Sequence, residues 1–202
     1  MRVLGDNTQT CFHDLGESSL EVYYDASTGD VHYTATVASG QYIALGYGTN
    51  MHGTDMVAWI YDGTASQQQD LYSSQEQPPT VLSSNAYTTV IASTNATHTV
   101  FDSSRPLTPT EGDTYVIPLN EAFSTVWAFE ATSRLAVEYH NEHRGTILMT
   151  LPSTGGCQLG AATAPSYPQA TLHGVFMWFA WSVISLGQLC TNRYAKHWWK
   201  HR

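Results

Sequence analysis

The segment Asp30-Val31-His32-Tyr33-Thr34-Ala35-Thr36-Val37 alternates apolar and polar side chains without a break. Val31, Tyr33, Ala35 and Val37 fall on one side of a chain whose side chains change face at every residue. Period 2 over this length predicts a strand with one buried face. Runs of the same kind recur at 20–24, 42–47, 56–61, 87–92, 97–101, 115–119, 125–129 and 146–151, rich in β-branched and aromatic residues. Between them stand turn signals: Ser27-Thr28-Gly29-Asp30, Asp62-Gly63, Pro78-Pro79 and Glu111-Gly112-Asp113. About nine short strands with regular turns, and no long amphipathic helix before residue 152, predict an all-β antiparallel sandwich.

Composition agrees with one β-rich domain and an appendage. The chain has 202 residues, 42% hydrophobic, 12% aromatic and only 12% charged, with a net charge of −9. That hydrophobic share excludes disorder along the whole chain. The acidic balance excludes nucleic acid as a partner, since phosphate recognition needs clustered Lys and Arg. Charge is divided unevenly. All 17 acids precede His173, where only Arg2, Arg105, Arg134 and Arg144 oppose them, a net of −13. The last 30 residues carry Arg193, Lys196, Lys200 and Arg202 and no acid.

Between the two parts lies GVFMWFAWSVISLGQLC, residues 174–190, within an uncharged window from Arg144 to Arg193. Seventeen helical residues span about 26 Å, and starting at Ala170 adds about 6 Å, enough for the ~30 Å hydrocarbon core. The expectation is one transmembrane helix over 170–190, with the basic tail cytoplasmic and residues 1–169 extracytoplasmic. Trp198 and Trp199 then sit at the interface. The expected organisation is a sandwich over 1–152, a linker over 153–169 rich in Gly, Ala, Ser, Thr and Pro, and a membrane segment with its tail over 170–202. The opening MRVLGDNTQT lacks the apolar stretch of a secretory signal. The chain therefore reads as a fragment or one with a misplaced start.

Cys11 and Cys157 bracket the acidic domain, and Cys190 ends the apolar segment. An outside pair plus one membrane-face thiol predicts a Cys11–Cys157 disulfide in an oxidising compartment. Asn95-Ala96-Thr97 is the one N-glycosylation sequon.

Hydrolase, zinc-protease, phosphate-loop and C-x-x-C motifs are absent from the sequence. Three features remain. A glycine-flanked loop, Gly46-Tyr47-Gly48-Thr49-Asn50-Met51-His52-Gly53-Thr54-Asp55, presents a methionine. Tyr139-His140-Asn141-Glu142-His143-Arg144-Gly145 presents one or two histidines before the last strand. His173 and His201 stand at the two ends of the apolar segment. Thioether and imidazole together are a known haem-iron pair.

These residues resemble a family. Gly46-x-Gly48, Met51-x-Gly53-x-Asp55-Met56-Val57, Asp70-Leu71-Tyr72, Arg105-Pro106-Leu107, Asp113, Trp127-Ala128 and His140…Arg144-Gly145 are similar to the DOMON domain, an immunoglobulin-like β-sandwich. Leu172-His173-Gly174-Val175-Phe176-Met177-Trp178, Gly187, Arg193-Tyr194 and Trp199-Lys200-His201-Arg202 are similar to the opening of a cytochrome b-561 membrane core. The resemblance implies haem b in the outer domain, with Met51 and His140 as axial ligands and His143 as the rival histidine. It implies His173 and His201 as ligands of two membrane haems, whose partner histidines belong to later helices. The implied role is electron transfer with small-molecule donors and acceptors in an ascorbate-linked or ferric-reductase-like transmembrane oxidoreductase. The alternative is a membrane-anchored DOMON module that binds a sugar or aromatic ligand without haem.

Overall fold

In the computed structural model, the described residues are 11–75, 77–111, 114–140, 143–154, 156–161 and 176–194. The alternation that opens the sequence argument becomes β3 (Asp30–Ala38), whose residues alternate between half-buried and buried. Val31, Tyr33, Ala35 and Val37 are all essentially inaccessible to solvent.

Among the described residues, twelve strands form two sheets, and every ladder is antiparallel. One sheet has the order β1 (Cys11–Leu15), β2 (Ser18–Asp25), β3, β9 (His98–Pro106), β8 (Thr88–Thr94). The other has the order β12 (Gln158–Ala161), β11 (Arg144–Thr150), β10 (Ala122–Ala131), β4 (Gln41–Tyr47), β5 (Thr54–Tyr61), β6 (Ser66–Ser73), β7 (Thr80–Val81). Their inner faces share one core built on Val31, Tyr33, Ile43, Leu45, Val57, Trp59 and Phe101. The expected all-β sandwich is therefore the architecture.

A second apolar cluster covers the outer face of the seven-stranded sheet: Tyr42, Ala44, Met56, Ala58, Ile60 and Leu71. It explains why β4 and β5 are buried on both faces and read as near-continuous apolar runs.

Several elements differ from the expectation. Residues 115–119 are extended but form no strand. Ile117 N–H donates to Leu107 O, and Leu119 makes one isolated bridge to Leu151. β6 is a strand despite its Gln-Gln-Gln run, because β5 supplies an eight-residue ladder for it. β12 lies inside the stretch assigned to the linker and pairs with β11, so the compact unit runs to Ala162. The disulfide is formed: Cys11 and Cys157 are bonded, with Cα atoms 5.1 Å apart. It joins β1 to the residue before β12, which are edge strands of the two sheets.

The second unit covers Thr163–Arg202. Residues 176–179 are helical and lead through a π-helical turn (Ala180–Ile184) into α1 (Ser185–Tyr194). Among the described residues, no helix is long and apolar enough to cross a membrane. Gln188, Thr191, Asn192 and Arg193 dilute the apolar character of α1. The expected span over 170–190 begins outside the described residues, and His173 and His201 both lie outside them.

Candidate functional site

The Met51 loop is the β4–β5 connection. Its base is crowded. A Cβ on Gly46 would meet Val126, Thr54 and Met56 at 2.9–3.1 Å, and one on Gly48 would meet the Thr54 hydroxyl at 3.0 Å. Glycine is required at both places because neighbouring side chains already fill that space. Gly48 N–H donates to Ser124 O (2.9 Å), tying the loop to β10. Asn50 Oδ1 accepts the His52 N–H (2.8 Å), an Asx turn around Met51. Gly53 closes the loop at φ +64°, a left-handed conformation that costs glycine nothing. Met51 itself is half-buried.

His140 belongs to the segment joining β10 to β11. This segment folds back as a strap over the outer apolar cluster, with Leu135 and Val137 packed on it. Gln69 donates its side-chain amide to Leu135 O (3.0 Å), and the Tyr42 hydroxyl donates to Glu138 O (2.6 Å). Burial pushes the Tyr42 phenol well above the ordinary tyrosine range, and the nearby Glu130 and Glu138 carboxylates add to it. His140 is only 8% exposed. Tyr139, 73% exposed, stacks on its ring with centroids 5.6 Å apart.

His143 is placed differently. Its side chain is 55% exposed, its Nδ1 lies 3.0 Å from Glu130 Oε2, and its ring stacks on Phe129 at 4.9 Å. Its backbone closes the turn: His143 N–H donates to His140 O (2.9 Å), and Phe129 N–H donates to His143 O (3.0 Å).

Register relates the two loops. β4 pairs with β10 from Tyr47↔Thr125 to Gln41↔Ala131. The Met51 loop leaves the Tyr47 end, and the strap leaves the Ala131 end, roughly 20 Å away along the ladder. The strap crosses the outer face at Leu135 and Glu138 and returns to Phe129, near the end it left. One row of the sheet is Ala128–Ala44–Ala58, the three residues paired across β10, β4 and β5. All three are buried, Ala44 and Ala58 within the cluster on which Leu135 and Val137 pack. The cavity lined by Cys11, Leu45, Trp127 and Met149 has a volume of about 20 Å³, room for about one water.

The other motif residues are structural clamps. Asp55 Oδ2 accepts N–H groups from Thr114 (2.8 Å) and Tyr115 (2.6 Å) and the Thr114 hydroxyl (3.0 Å). Asp70 Oδ2 accepts the Ala86 N–H (2.7 Å). Arg105 is buried between the sheets and donates to Tyr115 O. Burial opposes its charge, but the oxygens of Tyr47, Tyr87 and Tyr33 outweigh that and hold it above its ordinary value. Asp113 lies outside the described residues. Asn95 is exposed in the β8–β9 turn, where its Oδ1 accepts the N–H and hydroxyl of Thr97 and the N–H of His98. Among the described residues, no group of three His, Cys, Asp or Glu side chains is placed to hold a metal ion.

The sandwich agrees with comparison to known proteins. The DOMON domain profile matches residues 14–130, more than half of the chain. The chain belongs to the DOMON domain family. Two solved structures share the fold. One is the cytochrome b domain of pyranose dehydrogenase from Coprinopsis cinerea: 16% identity, TM-score 0.53, covering 69% of this chain and 79% of that one. The other is the cytochrome domain of Myriococcum thermophilum cellobiose dehydrogenase: 14% identity, TM-score 0.54, covering 79% of this chain and 86% of that one. Among curated proteins no match is found. The family match stops at residue 130 and does not reach the tail that resembles a cytochrome b-561 core.

Proposed function

We propose that the sandwich is an extracytoplasmic haem-b electron-transfer domain, in which Met51 and His140 would hold the iron. The observation that carries the reading is His140: an imidazole only 8% exposed, on the strap that packs over the sheet whose β4–β5 connection presents Met51. The donor set, a thioether and an imidazole, suits a haem iron. Both solved relatives are cytochrome domains, which supports the same reading.

A haem so held supplies reversible one-electron exchange between ferric and ferrous iron. Met51 offers a soft thioether that favours the ferrous form and raises the potential relative to a second imidazole. His140, enclosed by the strap, keeps its ring from wandering. His143 is mostly exposed whereas His140 is buried, which favours His140 as the ligand. The partners are small-molecule electron donors and acceptors.

The tail is proposed as a membrane tether over 170–190, the start of a cytochrome b-561-like core. Phe176, Trp178, Phe179, Trp181, Ile184, Leu186 and Leu189 are all more than half exposed, which is costly in water and favourable in lipid. His173 and His201 would each bring one ligand to a membrane haem whose second ligand lies on another helix. The Cys11–Cys157 disulfide supports an oxidising, extracytoplasmic setting for the sandwich. Asn95, exposed in a turn, is the proposed glycosylation site there.

The test is an absorption spectrum of the chain refolded with haem and desalted. A low-spin, six-coordinate b-type spectrum supports the reading, and a colourless product overturns it in favour of a haem-free ligand-binding module.

A further inference from the structure

We infer that Thr54 is a positioning residue that holds the Met51 loop in its ligand-presenting shape before any ligand is bound. The inference rests on the reading of Met51 as an axial ligand.

Thr54 is the first residue of β5 and is 2% exposed. Its hydroxyl donates to Asn50 O (2.7 Å) and lies 3.4 Å from His52 O. Those are the carbonyls on either side of Met51, so one hydroxyl brackets the residue. Asn50 in turn holds the His52 N–H through Oδ1 (2.8 Å). The Thr54 methyl fills the space over Gly46 and Gly48, at 3.0 Å and 3.7 Å from where their Cβ atoms would be. Hydroxyl and methyl therefore do separate jobs: the hydroxyl shapes the loop tip, and the methyl packs the base.

This arrangement suits a weak ligand. A thioether binds ferric iron less strongly than an imidazole does, so little binding energy is available to order a mobile loop. A loop already ordered by its own hydrogen bonds removes that cost. Asn50, Gly53 and Thr54 together supply the order, and Thr54 is the member that contacts both carbonyls.

The test compares Thr54→Val, which keeps the methyl and removes the hydroxyl, with Thr54→Ser, which keeps the hydroxyl. Two quantities are read on the full chain in detergent. The first is amide exchange over 49–53 without haem. The second is the thioether-to-ferric charge-transfer band after haem loading. Thr54→Val is expected to exchange at least tenfold faster and to keep less than half of the band, while Thr54→Ser restores both. Wild-type exchange and an unchanged band in Thr54→Val overturn the inference. A Met51→Ala control makes a separate failure visible: if it retains the wild-type spectrum, Met51 is not a ligand, and the positioning role falls with that reading.

Discussion

The guanidinium of Arg105 lies over the face of Tyr47, 5.0 Å from the ring centroid, and Tyr47 stacks on Tyr115 at 5.0 Å. A planar cation thus sits in the core between the sheets, next to the strand end from which the Met51 loop departs. Arg105→Lys keeps the charge but loses the flat stack and the forked hydrogen bonds. It is expected to destabilise the domain by about 2–3 kcal/mol, read as a lower midpoint in urea.

The hydroxyl of Tyr42 holds the strap through Glu138 O. Tyr42→Phe leaves that carbonyl without the bond and is expected to cost about 1–2 kcal/mol, with faster amide exchange over 132–140. The pH dependence follows from the raised phenol. Because the folded form ionises later than the unfolded one, its contribution is full below about pH 10 and falls as pH rises beyond it. Tyr42→Phe should therefore be less sensitive than the wild type between pH 9 and 11, as measured by denaturation at the two values.

The Cys11–Cys157 bond closes a loop with a sequence separation of 146 residues. Replacing both cysteines by serine is expected to remove about 3–5 kcal/mol, chiefly by freeing the unfolded chain. Thermal melting with and without reductant checks this: the wild type should shift and the double variant should not.

Gly145 faces Trp127. A Cβ there would meet the indole at 2.6–2.8 Å. Gly145→Ala is expected to destabilise by about 1–3 kcal/mol as the ring is displaced, with a change in tryptophan fluorescence.

How far the sequence carries differs by element. β3 is legible because one face is buried and the other is not, so its pattern has period 2. β4 and β5 are legible as apolar runs, yet the reason for their double burial, a strap crossing the outer face, is a long-range packing event that no local pattern marks. The residues at 115–119 look like a strand because Tyr115, Ile117 and Leu119 alternate. They are instead held by Asp55 and Leu107 as an extended segment. β12 is hidden because Gln158-Leu159-Gly160-Ala161 has a linker's composition, and only pairing with β11 makes it a strand. Met51 and His140 can be picked out individually from the resemblance. That their connections leave opposite ends of one ladder needs the register, and Thr54 has no sequence signal beyond its place after Gly53.

The disulfide also decides how the domain bears load. Tension arriving along the chain from residue 163 first meets β12, whose four residues can peel from β11 one pair at a time. At Cys157 the peeling stops, because a covalent bond passes the force to Cys11 at the start of the other sheet. β11, β10 and the strap between them are shielded from that pull. In single-molecule stretching from the C-terminus, the oxidised domain should release about four residues and then resist, and the reduced domain should unravel through β11.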